Sequence, residues 1–172
     1  MKLTQRWPLL LAAWVLVMAV AAVGISAHER TLREGQWVLL ELAPVDPRSL
    51  MQGDYMALSF NLNSEVEAQM TLQKMDSGEQ SDFALLSVDE AGRASFVSLE
   101  NTSDHGAGQV SIRIRQQGSR FSLGPNGFFF QEGNAAIYEE ARWGGFRVAG
   151  DGTALLVSLH DDELNSLGYN RR

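Results

Sequence analysis

The side chains best suited to binding or catalysis are close together in the sequence, between positions 46 and 55. Asp46 and Asp54 are carboxylates, Arg48 is a guanidinium, and Tyr55 carries a phenol hydroxyl. Charged residues grouped on a loop commonly bind a partner or a ligand, so these four form a candidate binding surface. They also suit an internal brace, because Arg48 can pair through two hydrogen bonds with Asp46 or Asp54, and Gly53 suits a turn. Both interpretations remain open at this point.

A second group of carboxylates comprises Glu132, Glu139 and Glu140. A helix is predicted just after Glu132, and negative charge before a helix start is favourable, so helix electrostatics explain the group. Within that helix Glu139 is predicted to lie within one turn of Tyr138 and Arg142, and it is also a binding candidate. A more specific alternative is that Glu132 and Asp54 act together as a general acid and base. They could also bind a calcium-type cation together with Asp46.

Metal and cofactor chemistry has little support in the residue pattern. His28, His105 and His160 are isolated, without a partner at metal-ligand spacing, and the chain contains no cysteine. The sequence His-Asp-Asp-Glu at 160–163 is typical of a solvated turn. We therefore predict no bound metal and no cofactor.

Ser49 is the candidate nucleophile if the protein is a hydrolase of the serine–lysine type. It precedes Gly53 and a predicted strand, an arrangement that faintly resembles signal-peptidase-like enzymes. The base would have to be Lys74, because the sequence has no other lysine after residue 28. The methionine that follows the serine in those enzymes is replaced here by Leu50. A hydrolase is therefore a remote alternative.

The elements that position these side chains begin with a membrane segment at residues 7–27. This segment has no charged residue, and as a helix of 21 residues it spans roughly 31 Å, close to the hydrocarbon thickness of a bilayer. Lys2 and Arg6 precede it, so the positive-inside bias predicts a cytoplasmic N-terminus. The alternative is a signal peptide cleaved after Ala27. We predict an uncleaved anchor at 1–28, and both cases predict an exported domain at 29–172.

The distribution of charge argues against a nucleic-acid partner. The net charge of the chain is −7, and Lys2 and Arg6 are the only charged residues before His28. The remainder therefore carries −9. An acidic domain repels phosphate backbones, so we predict no nucleic-acid binding.

Short strands separated by turn residues dominate the exported part. A strand is predicted at 36–42, and residues 54–62 alternate with Met56, Leu58, Phe60 and Leu62 on one face. Turn residues predict three hairpins, with strands at 83–88 and 94–99, 110–115 and 120–123, and 145–148 and 154–159. In the middle hairpin the side chain of Ser111 is predicted to point outward.

Helical signals are fewer in this part. One short helix is predicted at 135–142, ended by Gly144. Residues 65–75 suit a short helix or a mobile segment, and the tail from 165 is predicted to be frayed. The predicted fold is mainly β with one short helix, an antiparallel sandwich or small barrel after a single N-terminal transmembrane helix.

The segment 44–60, with sequence PVDPRSLMQGDYMALSF, resembles the signature of the GDYXXLXY family. The matching positions are Gly53, Asp54, Tyr55 and Leu58, and the departure is Phe60 in place of the final tyrosine. Phe60 keeps the ring but lacks the hydroxyl, so no hydrogen-bonding role is carried over to it. The run FFFQEG at 128–133, then YE at 138–139 and the segment 152–157, is also similar to this family.

The resemblance implies a membrane-anchored protein that accompanies a multi-span integral membrane protein. It supplies no catalytic residue. We therefore predict an extracytoplasmic accessory or interaction module of the bacterial envelope, held by residues 7–27 in the inner membrane with its domain in the periplasm. The alternative is an envelope sensor that binds a ligand or cation. The serine–lysine hydrolase is the third hypothesis.

Overall fold

The computed structural model describes residues 7–43, 55–76, 78, 80–117, 120–125, 127–130 and 135–169. It opens with helix α1, Trp7–Glu34. Its apolar residues are exposed, as expected of a segment that faces lipid. In the described part of the chain, this is the one helix long and apolar enough to cross a membrane. The helix continues seven residues beyond the apolar segment, through two charged turns.

Helix α1 leads into the first strand through one residue, Gly35. The Gly35 amide donates to the carbonyl oxygen of Thr31 at 2.9 Å, and Nη1 of Arg147 donates to the Gly35 carbonyl oxygen at 3.0 Å. Thr31 is buried against the domain. The helix end is therefore part of the folded domain.

The first sheet contains four antiparallel strands in the order β1-β9-β10-β11. These are β1 (Gln36–Glu41), β9 (Trp143–Val148), β10 (Ala154–His160) and β11 (Ser166–Tyr169). The predicted strand at 36–42 and the hairpin at 145–159 are confirmed. The prediction of a frayed tail is wrong, because Tyr169 and Gly168 pair with Ser158 and Leu159.

The second sheet has the order β4-β3-β5, with β3 (Phe83–Val88), β4 (Ala94–Glu100) and β5 (Gln109–Arg113). The predicted hairpin at 83–99 is confirmed. The predicted hairpin of 110–115 with 120–123 is wrong over 110–113, because these residues in β5 pair with β3. Only its end is present, as a small ribbon of β6 (Arg115–Gln117) and β7 (Arg120–Ser122) in which Arg115 pairs with Ser122. Ser111 is only 1% exposed, so its predicted outward orientation is also wrong.

The alternating segment 54–62 is a regular strand only in part. Strand β2 (Tyr55–Ala57) pairs with β8 (Gly127–Phe129), and helix α2 (Asn61–Asp76) begins soon afterwards. The predicted face is nevertheless buried, including Leu58 and Phe60. Helix α2 occupies the stretch that the sequence left ambiguous. It buries Leu62, Val66 and Met70, which recur at a helical spacing of four.

Helix α3 (Ala135–Tyr138) is shorter than the predicted helix at 135–142. Gly144 does not end it, because Gly144 lies inside β9. A Cβ atom at Gly144 would lie 3.1 Å from the rings of both Phe60 and Phe146. The glycine therefore permits a close approach of two core rings to the backbone.

One hydrophobic core joins these elements and includes side chains from the strands and from α2. The predicted architecture, an N-terminal apolar helix followed by a mainly antiparallel β domain, is confirmed. The described domain contains two helices after α1 where the sequence predicted one. The largest fully buried side chains are Phe60, Phe128, Phe146, Leu40, Leu86, Ile112, Leu123 and Leu159.

Candidate functional site

The polar half of the signature segment, residues 44–55, falls largely outside the described residues. Asp46, Arg48, Asp54 and Glu132 lie there, so their binding role stays a prediction. Gly53 also lies there, so the turn predicted at this glycine stays a prediction too. For Tyr55 the backbone is described, and it starts β2 opposite Phe129 of β8. Because the two strands are antiparallel, the chain enters β2 and leaves β8 at the same end of the ribbon. The segment that precedes β2 in the sequence contains Asp46 and Asp54, and the segment that follows β8 contains Glu132. Both segments are therefore connected to the same end of the β2–β8 ribbon.

The apolar half of the signature segment, residues 56–60, contributes Leu58 and Phe60 to the core. Phe60 is 1% exposed, and its ring meets that of Phe146 edge-to-face with centroids 5.4 Å apart. Such aromatic pairs contribute about 0.5–1.5 kcal/mol beyond area burial. The backbone of Phe60 also bridges to Leu42 at the end of β1. Leu58 is buried as well. These positions stabilise the fold.

Glu139 lies in the turn after α3, exposed at the edge of an open depression of about 610 Å³. The described lining carries five carboxylates and one guanidinium, that of Arg142. Nη1 of Arg142 donates to the carbonyl oxygens of Ala141 at 3.0 Å and Glu139 at 3.5 Å. The depression is strongly acidic, but α3 is too short for Glu139 to make the helical contacts predicted from the sequence.

Asp161, one of the carboxylates in this depression, stabilises its own loop. Asp161 accepts from the side-chain amide of Asn165 at 3.0 Å and from the Asn165 backbone amide at 2.8 Å. These hydrogen bonds lower the pKa of Asp161 below its ordinary value. The loop also contains Leu164 with φ of 66°. Across the described residues, no group of three His, Asp or Glu side chains is arranged to hold a metal ion.

A buried pair, Ser158 and His160, was missed by the sequence analysis. Oγ of Ser158 lies 2.9 Å from Nε2 of His160, whose Nδ1 lies 3.1 Å from the carbonyl oxygen of Leu164. A carbonyl only accepts, so Nδ1 carries the proton and Nε2 accepts from the serine hydroxyl. The solvated turn predicted at 160–163 is therefore wrong at its first residue, which is 9% exposed. The signal that could have found the pair is its spacing of two within a strand.

The Ser158–His160 pair has the atoms of a nucleophile and base but lacks access. Ser158 is 1% exposed, and a Cβ at Gly145 would touch both the Trp37 ring and Oγ of Ser158. Trp37 also packs edge-on against His160, with centroids 5.7 Å apart. The pair therefore satisfies buried polar groups. Of the predicted serine–lysine pair, Ser49 lies outside the described residues, and Lys74 is exposed on the last turn of α2.

Together these features define a small antiparallel β domain fused without a linker to one long apolar helix. The family model for the GDYXXLXY protein matches residues 17–159, from the second half of the apolar helix to the end of β10. The chain therefore belongs to the GDYXXLXY family. Neither the comparison with curated proteins nor that with solved structures finds a match.

Proposed function

We propose that this protein is a membrane-anchored accessory module that presents its domain to a multi-span membrane protein. In this proposal α1 stays uncleaved in the inner membrane, with the N-terminus in the cytoplasm and the domain in the periplasm. The domain itself carries out no reaction. The cation- or ligand-binding sensor remains the alternative for the polar half of the signature.

The observation that carries the proposal is the continuous junction between α1 and the sheet. The helix passes through the possible cleavage position, Ala27, and its last turn is packed on the domain through Thr31. Arg147 of β9 holds the connecting Gly35 from the other side. Removal of α1 after Ala27 would leave a fragment of a packed helix, which supports an anchor over a signal peptide.

A fixed junction also supports docking over catalysis on soluble substrates. A domain without a flexible linker keeps one orientation and one height above the bilayer. Confinement to the membrane plane raises the effective concentration of a partner in the same membrane, so even a weak contact is populated. The net charge of −9 after residue 28 supports a protein partner with a basic surface over one with an acidic surface.

The partner is tested by site-specific photo-crosslinking in the native host. A photoreactive residue replaces Arg48 in the signature segment, Glu139 beside the acidic depression, or Glu90, an exposed control in the β3–β4 turn. We expect position 48 or 139 to capture one multi-span membrane protein reproducibly, and position 90 to capture none. Crosslinks confined to the chain itself at all three positions would contradict the proposal.

The orientation is tested by substituted-cysteine labelling, which is simple here because the chain has no native cysteine. Cysteine replaces Thr4 before the helix or Asp104, which is exposed in the domain. We expect a membrane-impermeant maleimide to label position 104 in intact spheroplasts and position 4 only after lysis. The reverse pattern would place the domain in the cytoplasm and refute this part of the proposal.

A further inference from the structure

A cavity of about 440 Å³ lies where α1 meets the domain. Arg30 and Glu34 line it from the last two turns of the helix. His105 contributes from the loop before β5, and the apolar Val110 and Val148 contribute from the two sheets. The cavity thus combines two opposite charges with an apolar floor, and it is built jointly by the membrane helix and the domain.

Along α1 this cavity extends outward from the headgroup layer, provided that α1 is the membrane anchor proposed above. Arg30 is three residues beyond Ala27, or roughly 4–5 Å past the apolar segment, and Glu34 is roughly 10 Å past it. The headgroup layer on each side of a bilayer is about 5–7 Å thick. Arg30 therefore lies within the layer, and Glu34 lies about 3–5 Å beyond its outer boundary.

The two charges in the cavity are free to exchange partners. Nε of Arg30 lies 2.9 Å from Oε2 of Glu34, but their side chains are 77% and 68% exposed. An ion pair this exposed contributes little to stability. A ligand with both an anionic and a cationic group could replace the exposed Arg30–Glu34 ion pair with two ion pairs, one between its anion and Arg30 and one between its cation and Glu34. A purely anionic ligand would meet the Glu34 carboxylate, and a purely cationic one would meet the Arg30 guanidinium.

We propose that this cavity binds the zwitterionic headgroup of a phospholipid in which a phosphate lies beside a primary ammonium. Arg30 binds the phosphate, because a planar guanidinium can donate two parallel hydrogen bonds to it. Glu34 accepts from the ammonium. The bound lipid would fix the helix and the domain to the same point of the membrane surface.

The chain offers a matched control for this proposal. Arg33 and Glu29 form a second ion pair with the same spacing of four residues, 3.9 Å apart and also exposed. Its order along the helix is reversed: Arg33 lies three residues farther from the apolar segment than Arg30, and Glu29 lies five residues nearer to it than Glu34. Neither lines the cavity. Each pair contributes one guanidinium and one carboxylate to the same two turns of the helix, so an effect confined to the Arg30–Glu34 pair indicates a specific site.

The test measures lipids retained by the full-length chain in detergent by native mass spectrometry. Phosphatidylethanolamine, phosphatidylglycerol and free phosphoethanolamine are added to wild type and to the variants Arg30→Gln, Glu34→Gln, Arg33→Gln and Glu29→Gln. We expect wild type to prefer phosphatidylethanolamine, with about tenfold weaker retention in Arg30→Gln and Glu34→Gln. Glu34→Gln should also shift the preference toward the anionic lipid. The Arg33 and Glu29 variants should match wild type.

An equal loss in Arg33→Gln and Arg30→Gln would overturn the proposal, since it would indicate general surface electrostatics. Absence of a lipid preference in wild type would also overturn it. Equal retention of free phosphoethanolamine would refute a lipid as the source of the headgroup. Alkaline extraction of host membranes tests the anchor separately: release of wild type refutes the proposed function, whereas a retained protein without the lipid preference refutes only the headgroup site.

Discussion

The substitution Gly35→Ala tests whether α1 and the domain form one rigid unit. A Cβ atom at this position would overlap the carbonyl oxygen of Thr31 on the helix side. On the sheet side it would lie 3.1 Å from the Val148 carbonyl oxygen and 3.2 Å from Cβ of Arg147. All three neighbours are backbone or backbone-proximal atoms, so none can rotate away. Relief requires that the helix end move off the sheet.

The expected cost follows from this enclosure. Over-packing at a site that cannot relax typically costs about 1–3 kcal/mol. For a chain of this size, a loss of about 2 kcal/mol lowers Tm by roughly 4–8 °C. Thermal unfolding of the detergent-solubilised chain, followed by circular dichroism, measures this shift. Limited trypsin digestion gives a local measurement, because Arg30 and Arg33 become better substrates when the last turn of α1 detaches.

Gly24→Ala is the matched control for Gly35→Ala. Gly24 lies in the apolar part of α1, and a Cβ there would have nothing within 4 Å. Alanine also favours the helix by about 1 kcal/mol, so the domain Tm should be unchanged or slightly higher. If Gly35→Ala unfolds with the same Tm and the same digestion rate as Gly24→Ala, the helix and the domain are not rigidly coupled, and the main support for the proposed function is lost.

Three further outcomes are expected. Ser158→Ala should destabilise the fold by about 1–3 kcal/mol because Nε2 of His160 loses its donor. Ser111→Ala should be neutral or stabilising because its buried hydroxyl has no hydrogen-bond partner among the described residues. Equal effects of the two substitutions in chemical denaturation would contradict this. The Thr153 amide lowers the pKa of Asp151 below its ordinary 3.8, so the charged carboxylate stabilises the folded state above that pH. The Tm difference between wild type and Asp151→Asn should therefore shrink as the pH falls below 3.8, and a difference that grew on acidification would contradict this sign. Calorimetry with millimolar calcium should give no saturable heat, and heat abolished by Asp54→Asn would favour the sensor alternative.

Local patterns predicted the elements whose signal is short-range. The turn at 89–92 joins two strands at the expected positions, and Asp89 there accepts from the Ala91 and Arg93 amides at 2.9 and 2.8 Å. The apolar run from residue 7 predicted α1 for the same reason. These features depend on residues that are close in sequence, so composition and spacing are enough to predict them.

The errors arise where tertiary packing overrides a local pattern. Alternation at 56–62 correctly predicted which side chains are buried, but a period of two does not require a strand to continue when a helix can bury the next residues. Gly144 shows the same limit: its sequence context indicates a helix end, and its role is to let Phe60 and Phe146 approach the backbone. Such a role depends on side chains 84 and two positions away.

The candidate site was predicted as a set of charges, and Asp46, Arg48, Asp54 and Glu132 of that set lie outside the described residues, so their role stays a prediction. Phe60 and Leu58 are explained by core packing, and Asp161 by the loop it stabilises. The cavity beside Arg30 was not predicted, because it forms only where the helix end meets the turn after β9. No periodicity or motif in a single segment encodes a surface shared by elements that are over a hundred residues apart.

The two halves of the family signature therefore have different physical meanings. Its apolar half fixes the strand β2 and the start of α2 to the core, and its polar half lies just before that fixed point. The junction at Gly35 fixes the same core to the end of α1. In the proposed function, a core fixed to the membrane helix is held at a set height and direction above the bilayer. An enzyme acting on freely diffusing substrates gains little from that constraint, whereas a module that must meet one partner in the same membrane requires it.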